Sequence, residues 1–121
     1  MIEIWHNPRC SKSRQALAAL ESRGLVPRVR RYLEQPPDAA ELRSVQAALG
    51  LRAIDMMRRK EARFRELGLS PDDPDEVLIA AMARHPELIE RPVILAGGRA
   101  VIARPPERLA EILDPDPAGG G

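Results

Sequence analysis

A strand–turn–strand pattern near the end of the chain constrains its fold more than any other feature. The segment RPVILAGGRAVIA, residues 91–103, contains two apolar runs at 93–95 and 100–103 with a turn at Gly97 and Gly98 between them. Adjacent glycines supply the positive φ angles that a tight hairpin turn requires. The segment therefore predicts two antiparallel strands.

The first third of the chain predicts a strand, a helix and a second strand. Residues 2–5 form a short apolar run, and a helix-forming run follows Cys10, with Ser11 as the expected N-cap and Gly24 as the expected end. Residues 26–33 then alternate apolar and basic side chains, as a half-buried strand does. Because a helix connects them, the two strands are expected to be parallel.

The middle of the chain predicts a helical insert over about residues 38–88. Asp38 is the expected N-cap of a helix that ends at Gly50, because aspartate and glycine are favoured at these two positions. Helical spacing of apolar residues resumes over 54–58, and a third helix is expected over 75–85. This region therefore separates the first two strands from the hairpin.

The order of the predicted elements is that of a thioredoxin-like domain, an α/β fold with a mixed sheet, over residues 1–113. It ends with a helix that opens at Pro106, a residue suited to a first helical turn. In such a fold Pro92 is expected to follow a cis peptide bond facing Cys10. Residues 114–121, DPDPAGGG, offer little to bury and are expected to form a disordered tail.

Composition argues against several classes of function. The formal charge is only +1, from 19 basic and 18 acidic residues, so no general attraction to nucleic acid or an acidic membrane is expected. One tryptophan, one tyrosine and one phenylalanine cannot build an aromatic platform for nucleic-acid bases. The sequence shows neither a signal-peptide pattern nor a membrane span. A single cysteine allows no disulfide within the chain, which fits a reducing cytoplasm.

Cys10 lies at the predicted strand–helix junction, within HNPRCSKSR at residues 6–14. A lone cysteine is more often a small buried apolar side chain than a catalyst. At a helix N-terminus, however, unpaired N–H groups and the helix dipole stabilise a thiolate. His6 and Asn7 could orient the loop or hydrogen-bond the thiol, and turn formation alone would also account for them. Three flanking cations are expected to stabilise the thiolate further: Arg9, Lys12 and Arg14.

Three arginines stand apart from the others by their positions. Arg58 follows an apolar pair on a predicted helix, Arg91 directly precedes Pro92, and Arg104 ends the predicted hairpin. Guanidinium groups donate paired hydrogen bonds and keep their charge. A set of arginines around a thiolate would therefore suit an oxyanion substrate.

The chain resembles the glutaredoxin-coupled arsenate reductases in five blocks that follow the order and spacing of that family. The blocks are WHNPRCSKSR, YLEQPP, MMRRKEARFRELGL, HPELIERPVI and RPPERLAEIL. The resemblance implies that Cys10 is the nucleophile and that Arg58, Arg91 and Arg104 bind the oxyanion. Arg59 competes with Arg58 for the first arginine position, but the offset to RELGL matches Arg58.

The same resemblance implies the reaction and its partners. His6 and Ser13 match positions beside the thiol, and with Asn7 and Pro92 they complete the expected site. Arsenate would be converted to arsenite through an adduct on the cysteine, with glutathione as co-substrate and glutaredoxin as the second reductant. No bound cofactor and no metal are expected, and the expected state is a cytoplasmic monomer.

Two alternatives share this fold. Spx-type regulators bind RNA polymerase and sense oxidation through a Cys-x-x-Cys pair, but the second position of that pair is Ser13 in this chain. The chain therefore lacks the switch and retains the arginine set, which favours the enzyme. The other alternative is a related thiol reductase with an unknown substrate.

Overall fold

Two compact units make up the chain. The computed structural model describes residues 2–113; the first residue lies outside this range, as does the segment 114–121, for which a disordered tail is predicted. One unit, here called the sheet unit, combines residues 2–30 with residues 91–113. The other, called the helical unit, spans Arg31–Glu90. Within the described residues, no helix combines the length and apolar character that crossing a membrane requires.

The sheet unit is built on a four-stranded mixed sheet. Its strands are β1 Ile2–Trp5, β2 Arg28–Arg30, β3 Val93–Ala96 and β4 Arg99–Ile102. Their order is β2-β1-β3-β4, with β1 parallel to β2, and with β3 antiparallel to both β1 and β4. Ile4, at the centre of the sheet, lies opposite Val29 on one side and Ile94 on the other. The predicted parallel pair and the predicted hairpin are both confirmed.

The second strand is shorter than the alternating pattern predicts. The prediction covers residues 26–33, but β2 contains only Arg28–Arg30, and Val26 is 94% exposed. Pro27 separates Val26 from the strand, and proline has no backbone N–H to donate to a neighbouring strand. The pairing with β1 therefore begins only after Pro27.

The turn of the hairpin has the backbone that its two glycines allow. Gly97 and Gly98 have φ values of 54° and 81°, and residues that carry a Cβ rarely adopt such positive φ angles. Two consecutive positive φ angles match the strand twist on both sides of the turn. The two glycines thereby set the register of β3 and β4.

Helices pack against one face of the sheet within the sheet unit. They are α1 (Ser11–Ser22), a 3₁₀ helix over Pro106–Leu109 and α5 (Ala110–Leu113). The core that they form with the strands is entirely aliphatic, and burial of such side chains is the main stabilising contribution. Its buried members are Ile4, Ala16, Leu20, Ile94, Val101, Ala103, Leu109 and Ile112.

The helical unit contains three α-helices and two short 3₁₀ helices. They are α2 (Ala39–Leu49), α3 (Ala62–Glu66) and α4 (Asp75–Arg84), with 3₁₀ turns over Ala53–Met56 and Pro86–Leu88. As predicted, Asp38 caps α2: its carboxylate accepts from the Glu41 N–H at 2.8 Å, and the Glu41 carboxylate accepts from the Asp38 N–H at 3.3 Å. Gly50 ends the helix with a φ of 68°.

The prediction of a helix through residues 54–58 is confirmed only as far as Met56, as a 3₁₀ helix, and is wrong for Met57 and Arg58. The 3₁₀ turn ends at Met56, and Met57 is extended and forms an isolated antiparallel bridge with Ile89. The Arg58 N–H donates to the Leu88 carbonyl at 2.8 Å, and the Glu90 N–H donates to the Met56 carbonyl at the same distance. Arg58 therefore follows a bridged extended segment, not a helix.

Candidate active site around Cys10

Cys10 is the residue at which the turn after β1 becomes helix α1. Its N–H donates to the Asn7 carbonyl at 3.0 Å, and its own carbonyl accepts from the Arg14 N–H at 3.0 Å. Its extended backbone, with φ −96° and ψ 122°, makes it the N-cap of α1. The prediction of Ser11 as N-cap is wrong, because the turn closes at Cys10 and Ser11 is already helical. The thiol therefore occupies the position from which a cap side chain faces the first N–H groups of the helix.

The surroundings of Cys10 lower the pKa of its thiol. Burial acts in the opposite direction: the residue is only 8% exposed, and desolvation penalises the thiolate. The backbone N–H of Ser13, the guanidinium of Arg91 and the backbone N–H of Lys12 all favour the charged form. Together they outweigh burial, so the pKa of Cys10 lies below the usual value for a thiol.

The cation that acts on the thiol is Arg91, which hydrogen-bonds the Cys10 sulfur and adds a favourable charge interaction. The flanking cations were expected to play this role, but the Arg14 guanidinium instead donates to the Pro8 carbonyl at 2.8 Å. Arg9 and Lys12 have exposed side chains, and Lys12 acts through its backbone. Proximity in sequence therefore does not predict which cation stabilises the Cys10 thiolate.

Ser13 ties the end of β1 to the first turn of α1. Its side chain is fully buried, and its hydroxyl lies 2.6 Å from His6 Nδ1 and accepts a hydrogen bond from the Asn7 N–H at 3.0 Å. The Asn7 carboxamide oxygen accepts from the Arg9 N–H at 3.0 Å. These contacts hold the loop that carries Cys10, and those of Asn7 are also the contacts of a turn.

Ser13→Ala is expected to lower the free energy of unfolding by about 1–3 kcal/mol, because the buried partner of His6 Nδ1 and of the Asn7 N–H is removed. Urea denaturation followed by circular dichroism measures the loss. Ser11→Ala is the matched control, since Ser11 is exposed on the same turn and should change stability by less than about 0.5 kcal/mol. An equal loss of unfolding free energy in Ser13→Ala and Ser11→Ala would contradict the stabilising role of the Ser13 hydroxyl.

Arg91 and Arg104 lie at the open end of the hairpin, opposite its turn. Arg91 and Pro92 precede β3, and the peptide bond between them is cis, as predicted. Arg104 follows β4, and its Nη1 lies 3.5 Å from the Arg91 carbonyl oxygen. The Nε and Nη1 atoms of Arg91 are shielded from solvent, whereas Arg104 is exposed. Antiparallel pairing thus brings together two of the three arginines that the sequence singles out.

Arg58, the third arginine, belongs to the helical unit. Its Nη1 lies 2.9 Å from Glu61 Oε2, with the two side chains 30% and 29% exposed. Its sequence competitor Arg59 lies 3.6 Å from Asp55 and is 51% exposed. Arg58 is therefore the more shielded and more firmly held of the two. Glu61 is not among the residues that the sequence singles out, although its spacing of three residues from Arg58 is a usable signal for an ion pair.

A cysteine thiolate beside a guanidinium can carry out nucleophilic chemistry on an anion. The sulfur supplies the electron pair, and the cation offsets the negative charge of the group that it attacks. Across residues 2–113, no group of three or more His, Cys, Asp or Glu side chains could hold a metal ion.

The rate at which iodoacetamide alkylates Cys10 should rise with pH around a midpoint below that of the unfolded chain. Because the pKa of Cys10 is lowered in the fold, the thiolate persists to lower pH, and the rate falls only when pH drops through the folded pKa. Rates measured against pH for the native protein and in urea provide the comparison. A native midpoint at or above the unfolded one would contradict the electrostatic account.

Comparisons with known proteins extend over nearly the whole chain. The ArsC family model matches residues 5–112. An arsenate reductase of Neisseria meningitidis serogroup A is 48% identical over 114 residues, which cover 93% of this chain and 97% of that protein. The uncharacterised Escherichia coli protein YfgD is 47% identical over 114 residues, covering 93% of this chain and 96% of that protein.

A solved structure shows the same likeness in three dimensions. The arsenate reductase from Vibrio cholerae aligns with a TM-score of 0.89 at 48% identity, covering 93% of this chain and 97% of that one. The mixed sheet and its helices match that structure, so the predicted thioredoxin-like α/β fold is confirmed.

Proposed function

Because the chain belongs to the ArsC family, we propose that it is an arsenate reductase that uses glutathione and glutaredoxin as reductants in the cytoplasm. The observation that carries the proposal is the buried Cys10 at the N-cap of α1, where the backbone N–H groups of the first turn and the Arg91 guanidinium lower the pKa of its thiol. A thiolate next to a permanent cation is suited to attack an oxyanion, because the cation offsets the repulsion between the two negative groups.

In the first step, the Cys10 thiolate attacks arsenic(V) in bound arsenate. A sulfur–arsenic bond forms, one arsenic–oxygen bond breaks, and the departing oxygen takes up protons and leaves as water. Arg91 and Arg104 donate hydrogen bonds to the remaining arsenate oxygens, and Arg58 completes the set. Guanidinium groups suit this role because their planar donors fit pairs of oxygens and they stay charged throughout.

In the second step, the glutathione thiolate attacks the Cys10 sulfur. The sulfur–arsenic bond breaks and its electron pair stays on arsenic, so arsenic(V) becomes arsenic(III) and arsenite leaves. The two thiols lose two electrons in forming one disulfide between Cys10 and glutathione. A glutaredoxin thiolate then attacks the glutathione sulfur and releases the Cys10 thiolate for another cycle.

The need for external thiols follows from the single cysteine. Ser13 occupies the position that a resolving cysteine would take in a Cys-x-x-Cys pair, and the chain contains no other cysteine. No disulfide can therefore form within the chain to release the product. The same residue argues against the oxidation switch of an Spx-type regulator.

Arsenite formation from arsenate, glutathione, glutaredoxin and the purified protein tests the proposal. Arsenite should form over many turnovers in the complete mixture and should stop at about one equivalent per protein molecule without glutaredoxin. It should fall to background when arsenate, glutathione or the protein is omitted. Turnover with thioredoxin as the only thiol source would contradict the electron route. A complete mixture that forms no arsenite would contradict the substrate, and capture of RNA polymerase in a parallel pulldown would favour the regulator.

A further inference from the structure

Arg58 and Glu61 form a partly shielded ion pair in the helical unit. Arg58 Nη1 lies 2.9 Å from Glu61 Oε2, and the side chains are 30% and 29% exposed. A second pair with the same spacing, Arg63 and Glu66, has a separation of 3.2 Å and is 43% and 58% exposed. The two pairs therefore share chemistry and sequence spacing but differ in shielding.

The backbone holds both members of the shielded pair in place. The Arg58 N–H donates to the Leu88 carbonyl at 2.8 Å, and the Glu61 N–H donates to the Arg58 carbonyl at 3.1 Å. Glu61 is the N-cap of α3, yet its carboxylate makes no capping hydrogen bond. The carboxylate that could have capped the helix is instead directed to the Arg58 guanidinium.

We propose that Glu61 is a positioning residue that holds the Arg58 guanidinium ready to bind an oxyanion. This inference rests on the proposed function, in which Arg58 binds arsenate. Glu61 contacts the guanidinium through Nη1, and a guanidinium has further N–H donors on its other nitrogens. One nitrogen can thus anchor the group while the others serve the substrate.

Two opposing effects of Glu61 on the affinity for arsenate have to be compared. Its negative charge reduces the attraction of Arg58 for an anion, but solvent screens a pair whose side chains are about 30% exposed. Without Glu61, binding would have to immobilise a long, flexible side chain, which costs affinity. We expect the second effect to be the larger, so that removing Glu61 weakens oxyanion binding.

Protection of Cys10 against iodoacetamide by arsenate tests this inference without any reductant. Glu61→Ala should raise the arsenate concentration needed for half-protection by about two- to tenfold. Glu66→Ala is the matched control and should leave that concentration unchanged. Glu61→Gln keeps a hydrogen-bond acceptor and should recover part of the loss. In an Arg58→Ala background, Glu61→Ala should have no further effect, because Glu61 acts through Arg58.

Different outcomes would overturn different parts of the account. Protection by arsenate that is unchanged or stronger in Glu61→Ala would overturn the positioning role alone. The same role would be overturned if Glu61→Ala weakened protection as much in the Arg58→Ala background as in the unaltered protein. Failure of arsenate to protect Cys10 in the unaltered protein would overturn the proposed substrate and the inference with it. Thermal unfolding of each variant, followed by circular dichroism, shows whether the fold is retained.

Discussion

Cys10→Ser is expected to abolish arsenite formation while leaving the fold intact. A hydroxyl at this position stays protonated at neutral pH, so the nucleophile and the disulfide-forming atom are lost together. Stability should not suffer, because serine is a favoured N-cap residue and Cys10 is the N-cap of α1. Arsenite is measured in the complete mixture with glutathione and glutaredoxin, and thermal unfolding is measured in parallel.

The neighbouring substitution Ser11→Ala serves as the control for Cys10→Ser. Ser11 is exposed in the first turn of α1, so its replacement should leave turnover nearly unchanged. Turnover by Cys10→Ser above the protein-free rate would show that arsenic reduction does not pass through this sulfur.

Arg91→Ala is expected to lower kcat/KM for arsenate by about 10²- to 10³-fold, the range found when one donor to a developing anion is removed. The same change should raise the pKa of Cys10, because the Arg91 guanidinium favours the thiolate through a hydrogen bond and through its charge. Arg91→Lys should recover only part of the activity, since an ammonium group cannot reproduce paired planar donors.

Steady-state kinetics and the pH midpoint of Cys10 alkylation measure these two effects separately. Arg14→Ala is the control: Arg14 is near Cys10 in sequence, but its guanidinium donates to the Pro8 carbonyl. It should shift the midpoint much less than Arg91→Ala does. An unshifted midpoint in Arg91→Ala would contradict its electrostatic role, and normal kinetics in Arg91→Lys would show that charge alone suffices.

The sheet unit could be predicted from sequence wherever local patterns determine the backbone. Gly97 and Gly98 specify a hairpin turn because few other residues adopt their φ angles. The segment 54–58 could not be predicted in the same way. Its apolar spacing fits a helix, but hydrogen bonds to Leu88 and Glu90, distant in sequence, favour a bridged extended segment after Met56.

The candidate site was only partly visible in the sequence. The strand–helix junction indicated Cys10, and the adjacent Pro92 indicated Arg91, because each signal is local. The cation that stabilises the thiolate is determined by side-chain direction and by strand pairing. The sequence alone therefore could not show that Arg91, and not Arg14, plays this role. Glu61 does not stand out in the sequence because a glutamate near an arginine is common, and the shielding of its carboxylate is visible only in the fold.

The mass of the intact protein after a single turnover with arsenate and glutathione, without glutaredoxin, tests the proposed mechanism most directly. One glutathione should be attached to each molecule that has released arsenite, and peptide mapping should place it on Cys10. A mixture without arsenate and the Cys10→Ser variant should both remain unmodified. Stoichiometric arsenite from protein of unchanged mass would contradict the disulfide between Cys10 and glutathione on which the mechanism depends.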